Sequence, residues 1–260
     1  MGTIAWIVFV LFVSVLCRPL AADPDVNTIV ERSIATNEAD WREEPGYDHW
    51  ERDDSGGEAK TYQVLMIDGT PYERLVAIND QALSPSKERD EQQKLEKVIA
   101  KRRSESTSQR AHRVAEFNRE HDRVRALFRE LGRAFKFTFQ GERRVESRSV
   151  YVLSATPRSD YKPADADARA LTGMNAEFLI DTETFHWVKV SARVRKPVSL
   201  FGILMRLEPG TFLELEKEPV GDGVWETSHL AIRSQAKILS LVPHSTYEDD
   251  RYYNYAKVSR

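Results

Sequence analysis

The chain has 260 residues, with 38 Lys and Arg against 41 Asp and Glu, six His, one Cys and a net charge of -3. A 41% hydrophobic content with one long apolar run excludes a multi-pass membrane protein, and 10% aromatic residues argue against a fully disordered chain. A lone Cys cannot make an internal disulfide, and the slight acidic excess excludes a globally basic nucleic-acid binder.

The first apolar run is Ile4 to Leu16. That is too short for a span of about 20 residues and fits a secretory core of about 7–15. Leu20-Ala21-Ala22 follows, so residues 1–22 read as an export signal cleaved after Ala22. No Lys or Arg precedes the run. An uncleaved single-span anchor and lipidation at Cys17 are the alternatives, the latter opposed by Leu16, where a small residue is needed.

Residues 25–44 read as a helix, with Val26, Ile29, Val30 and Ile34 at helical spacing and Pro45-Gly46 as its stop. The period then changes to two. Tyr47–Arg52 and Tyr62–Ile67 read as strands, and Asp68-Gly69 reads as a hairpin turn into Tyr72–Ile78. Residues 85–133 lack Pro and Gly between Pro85 and Gly132 and read as two helices, or one long kinked one. Leu95, Val98 and Ile99 mark a short stripe; Val114, Phe117, His121, Val124, Phe128 and Leu131 mark a longer one. This zone holds 14 basic and 9 acidic residues, a net of +5, on an otherwise acidic body. Such a charge balance describes either a solvated helix face or a surface for anionic headgroups or an acidic partner.

From residue 134 onward the pattern returns to strands. Phe135, Phe137 and Phe139 alternate, Gly141 reads as a turn, and Val150–Ala155 runs before a Pro-, Ala- and Asp-rich loop over 157–170. Glu177–Ile180, Phe185–Val194, Ser199–Leu207, Phe212–Lys217, Trp225–Leu241 and Tyr247–Val258 follow, with turns at 181–184, Pro209-Gly210 and Gly221-Asp222-Gly223. Roughly ten antiparallel strands joined by short turns describe a curved meander. Nucleophile elbows, phosphate loops and metal-binding His pairs are absent, and the scattered His residues form no i, i+4 pair. The residues alone therefore point to a non-catalytic protein with no metal and no cofactor.

Several segments resemble the LolA/LolB fold, which also serves the RseB/MucB regulators. They are Tyr62–Gly69 with Tyr72–Val76, Tyr151-Val152-Leu153 to Pro157, Gly173-Met174 with Phe178–Asp181, Trp187–Val190, and Tyr253-Asn254-Tyr255. The chain is similar above all to the lipoprotein-sorting-like proteins that carry a charged helical insert after the first hairpin. The resemblance implies an α+β fold in residues 23–260: an unclosed, curved antiparallel half-barrel with an N-terminal helix, its open face capped by the insert at 85–133. It also implies a periplasmic location and an apolar cavity for the acyl chains of a lipid or lipoprotein. Tyr62, Val64, Met66, Phe137, Trp187 and Met205 are candidates to line that cavity. Lys101, Arg102, Arg103 and Phe117 are candidates to meet a membrane surface or a protein partner. The alternative function is an envelope regulatory or scaffold module that binds a protein through the insert. No nucleic-acid partner is expected.

Overall fold

A computed structural model of the chain describes residues 25–55, 57–200, 205–238 and 242–258. The expected export signal and Cys17 lie outside the described residues. Helix α1 (Val26–Glu43) opens on Asp25, whose carboxylate accepts the N–H groups of Asn27 and Thr28. It closes on a single 3-10 turn at Glu44–Gly46. The first hairpins then follow as β1 (Tyr47–Asp53), β2 (Lys60–Ile67), β3 (Thr70–Ile78) and the two-residue β4 (Gln81–Ala82). Asp68 and Gly69 both take positive φ, 50° and 87°, as a two-residue turn matched to strand twist requires.

The insert forms α2 (Pro85–Arg103) and α3 (Thr107–Ala134). The polar stretch between their stripes is a real break. Ser104 ends α2, and Ser106 starts α3 with a reciprocal capping box to Gln109. The chain continues through β5 (Phe135–Val145), β6 (Arg148–Pro157), a short α4 (Ala166–Ala170), β7 (Met174–Asp181) and β8 (Trp187–Val194). Then come β9 (Val198–Leu200), β10 (Met205–Leu207), β11 (Phe212–Gly221), β12 (Val224–Ile238) and β13 (Val242–Lys257).

Three expectations change. Gly141 is a bulge inside β5, at φ 125°, and the strand turns back only at Glu146. Ser199–Leu207 is two short antiparallel strands, with Leu200 paired to Met205. The loop at 157–170 contains α4, capped by Asp165.

The strands form one unclosed antiparallel sheet in the order β4-β3-β2-β1-β13-β12-β11-β8-β7-β6-β5, with β10 and β9 appended to β12. The fold is α+β, with a curved half-barrel sheet and helices on its open side. Two meanders, β1–β4 and β5–β13, meet where Tyr47 pairs with Lys257. The main core lies between α1, the C-terminal part of α3 and the strands β5–β8. It holds Ile29, Val30, Phe135, Leu153, Phe178, Ile180 and Trp187, with Phe128, Leu131 and Phe137 packed against them. Helix α3, 28 residues and so about 42 Å long, touches β3 near one edge of the sheet and β5 at the other. It therefore crosses the open side.

Candidate functional site

The helix α1 carries two stripes. Ile29, Val30 and Ile34 meet the core, while Ser33, Asn37 and Asp40 are buried on a polar face. Asn37 and Asp40 lie mid-helix, where such residues are favourable only with partners. Asn37 Nδ2 donates to the Ser33 carbonyl at 2.8 Å. Lys217 of β11 donates to Asn37 Oδ1 at 3.3 Å and to Asp40 Oδ2 at 3.2 Å. His186 Nε2 stands 3.4 Å from the same Asp40 oxygen without completing a hydrogen bond, and its ring stacks on Trp225 at 4.9 Å. Glu226 of β12 closes the cluster. Burial, then the neighbouring Glu44, push its carboxyl up to about 8, against an opposing pull from Lys217. Its Oε1 has no partner among the described residues.

The second region is the inner face of β1, β2 and β13, beyond the reach of the apolar stripe of α1. Residues paired across strands share a face. His49 pairs with Val64, and Glu51 pairs with both Tyr62 and Tyr252. The His49 ring lies 5.1 Å from that of Tyr255, whose hydroxyl donates to the Thr227 carbonyl. Burial lowers the pKa of His49 and raises those of Tyr252 and Tyr255. The same burial, with Glu73, Asp250 and Asp53 nearby, brings Glu51 up to about 7. Tyr62, Met66, Tyr252 and Tyr255 are all half-buried. This face is aromatic and apolar toward β2 and acidic toward the far end of β1.

The helix α3 reaches this region at the β2–β3 turn, and α2 packs on β3 with Leu95 buried. Val114 lies against the Gly69 turn, and Arg113 donates to Thr70 Oγ1 at 2.6 Å while gripping Glu105. Farther along, His121 meets Glu44, and Trp41 donates to the His121 carbonyl at 2.9 Å. Phe128 packs edge-on to both Trp41 and Trp187. The longer apolar stripe of the insert thus faces the protein's own interior.

The ten sequence candidates do not converge. Tyr62, Val64 and Met66 share one face of β2, with Val64 the most buried at 4% exposure. Phe137 and Trp187 lie in the helix-filled half, each ringed by Phe178. Met205 is half-buried on β10, in the appended hairpin. Lys101 and Arg103 are exposed, and Phe117 is half-buried beside His121. Arg102 turns inward. Its guanidinium donates to the carbonyls of Ile67 and Thr70 at 2.8 Å and of Pro71 at 3.0 Å, fastening α2 to the β2–β3 turn. The sequence reading missed the polar stripe of α1 and its partner Lys217. The spacing of Ser33, Asn37 and Asp40 was its only signal.

Among the described residues no group of three or more His, Cys, Asp or Glu is placed to hold a metal ion. No described helix is long and apolar enough to cross a membrane. No protein-family model matches the chain, and no curated protein matches it. Among the solved structures that align with the chain, two do so over most of its length. One is a domain described as an outer membrane lipoprotein-sorting protein from Vibrio parahaemolyticus. It is 10% identical, with 88% of this chain and 93% of that one covered and a TM-score of 0.33. The other is a DUF1329 family protein from Desulfovibrio piger, 9% identical, with coverages of 89% and 92% and a TM-score of 0.31.

Proposed function

We propose that the chain is an exported, non-catalytic binding protein of the periplasm, which takes acyl chains of a lipid or lipoprotein into the open half of its sheet. The observation that supports this reading is the unequal filling of the inner face. Helix α1 and the core aromatics occupy the β5–β8 half. The β1–β2–β13 half keeps Tyr62, Met66, Tyr252 and Tyr255 half-buried. Burying each methylene contributes about 0.8 kcal/mol, so a chain of about a dozen carbons gains enough to offset the ordering of a few side chains. The site asks for no cofactor.

The test is native mass spectrometry of the protein purified from a periplasmic fraction, followed by solvent extraction. A bound lipid or acylated peptide is the expected extra mass, and Met66→Glu is expected to lose it while staying folded. An empty protein that takes up neither lipid nor acylated peptide on incubation would defeat the reading.

A further inference from the structure

At the outer end of β1 and β13 an open cleft of about 610 Å³ is lined by Glu51, Asp53, Glu248 and Asp250, with Ser245 and Thr246 among its other residues. Among the described residues no Lys or Arg lines it. Asp53 and Asp250 stand directly opposite each other across the β1–β13 pair. Like charges in that position destabilise a sheet. Asp250 is only 9% exposed, and its Oδ1 is buried without a hydrogen-bond partner among the described residues. An acceptor in that state is costly to leave unpaired.

The surroundings do not neutralise the cluster. Asp53 Oδ1 accepts from the Ser55 amide at 2.7 Å and from its hydroxyl, neither of which carries charge. Lys60 of β2 pairs in register with Asp53, but the two form no ion pair among the described residues. Strand β3 adds another carboxylate, Glu73, beside Glu51, and β2 adds Tyr62. Strand β12 meets Asp250 and Glu248 with Leu230 and Ile232. On β13 itself Asp249 is engaged by His229 and Tyr247, and Tyr252 lies beside Asp250. Burial and the neighbouring Asp53, Glu248 and Asp249 raise Asp250 to about 6, against an opposing pull from the Tyr252 hydroxyl.

We propose that this cleft binds a small organic polycation, a di- or polyamine whose ammonium groups bridge the facing carboxylates of β1 and β13. The cleft is much larger than a dehydrated metal ion, and among the described residues its carboxylates do not form a metal-holding group. Separated ammonium groups match separated carboxylates better than one compact charge does. The proposal stands apart from acyl-chain binding, because a polyamine has no apolar tail.

The test is calorimetric titration of spermidine into the purified protein at pH 7.5 and low salt. Saturable binding is expected, weakened at least tenfold by Asp250→Asn and several-fold by Glu248→Gln. Glu248 is exposed, so its variant folds whatever happens at Asp250. Binding should fade as pH falls from 8 to 5, because Glu51, at about 7, and Asp250, at about 6, take up protons. Absence of saturable spermidine binding, equal affinity in both variants, or tighter binding of calcium alone would each overturn the proposal.

Discussion

Asp40 and Lys217 are the residues on which the seating of α1 turns. Both side chains are at least nine-tenths buried, at 5% and 9% exposure, and each is the other's charge partner. Removing one partner strands the other charge in a poorly solvated site, which typically costs about 3–5 kcal/mol. Asp40→Asn should therefore lower the urea midpoint sharply. The double change Asp40→Leu with Lys217→Met should recover much of the loss. Glu226, which feels both charges, makes a second, pH-dependent claim. Its folded pKa, about 8, lies above its ordinary value of 4.5. Between those values the folded protein holds a proton that the unfolded chain has released. Its stabilising contribution is complete below about 4.5 and is lost as pH rises through about 8, at up to about 1.4 kcal/mol per unit. Thermal scans from pH 5 to 8.5 should show a falling melting temperature, and Glu226→Gln should flatten that fall. An unchanged slope in the variant would place the pH dependence elsewhere, with Glu51 and Asp250 the next groups to examine.

At the level of elements, Arg102 shows how a surface-looking sequence hides a joint. It sits in the run Lys101-Arg102-Arg103, and nothing in that run distinguishes the middle residue. Yet it supplies donors to three carbonyls of the β2–β3 turn. Arg102→Ala should cost about 1–3 kcal/mol and speed amide hydrogen exchange through residues 67–71, with Lys101→Ala as the silent control. Local chemistry carried much of the fold into the sequence. Asp68-Gly69 marked its hairpin because two positive φ angles in succession favour those residue types. Ser104–Ser106 separated two helices because hydroxyls compete with helical hydrogen bonds and cap new ones. Gly141 misled because a bulge and a turn make the same demand for positive φ. The split of 199–207 was hidden because two short strands close together in an apolar sequence read as one run. The inner-face site was only half legible. Alternation put Tyr62, Val64 and Met66 on one side of β2, but which half of the sheet α1 would fill depends on contacts between distant segments. The placement of Trp187 and Phe137 in that filled half is such a case.

Across the whole molecule, the sheet is two meanders joined at one seam. Tyr47 to Asp53 pair with residues 250–257, about as far apart as the chain allows. Contacts of such long separation form late in folding, after loop closure over the intervening chain. A chain ending at Asp250 should keep β5–β8 and their core but lose the seam. Its unfolding should then split into two transitions by circular dichroism, where the full protein shows one. A single unchanged transition would mean that the helices, rather than the β1–β13 ladder, hold the halves together.

The crossing helix sets a mechanical condition on any guest. A rod tied to both rims of a curved plate fixes how far the rims can spread. At the β5 rim the tie is covalent, since Ala134 runs directly into Phe135. At the β3 rim it is made of side chains alone, ionic and polar through Arg110 to Asp68 and Arg113 to Thr70, beside the packing of Val114 on Gly69. When the plate must flex to admit something bulky, the weaker fastening yields first, so the latch lies at the β2–β3 turn and the hinge at residue 134. Salt loosens the first and leaves the second untouched. Uptake of a large apolar guest should therefore quicken as ionic strength rises, the opposite of what a carrier steered only by charge would show.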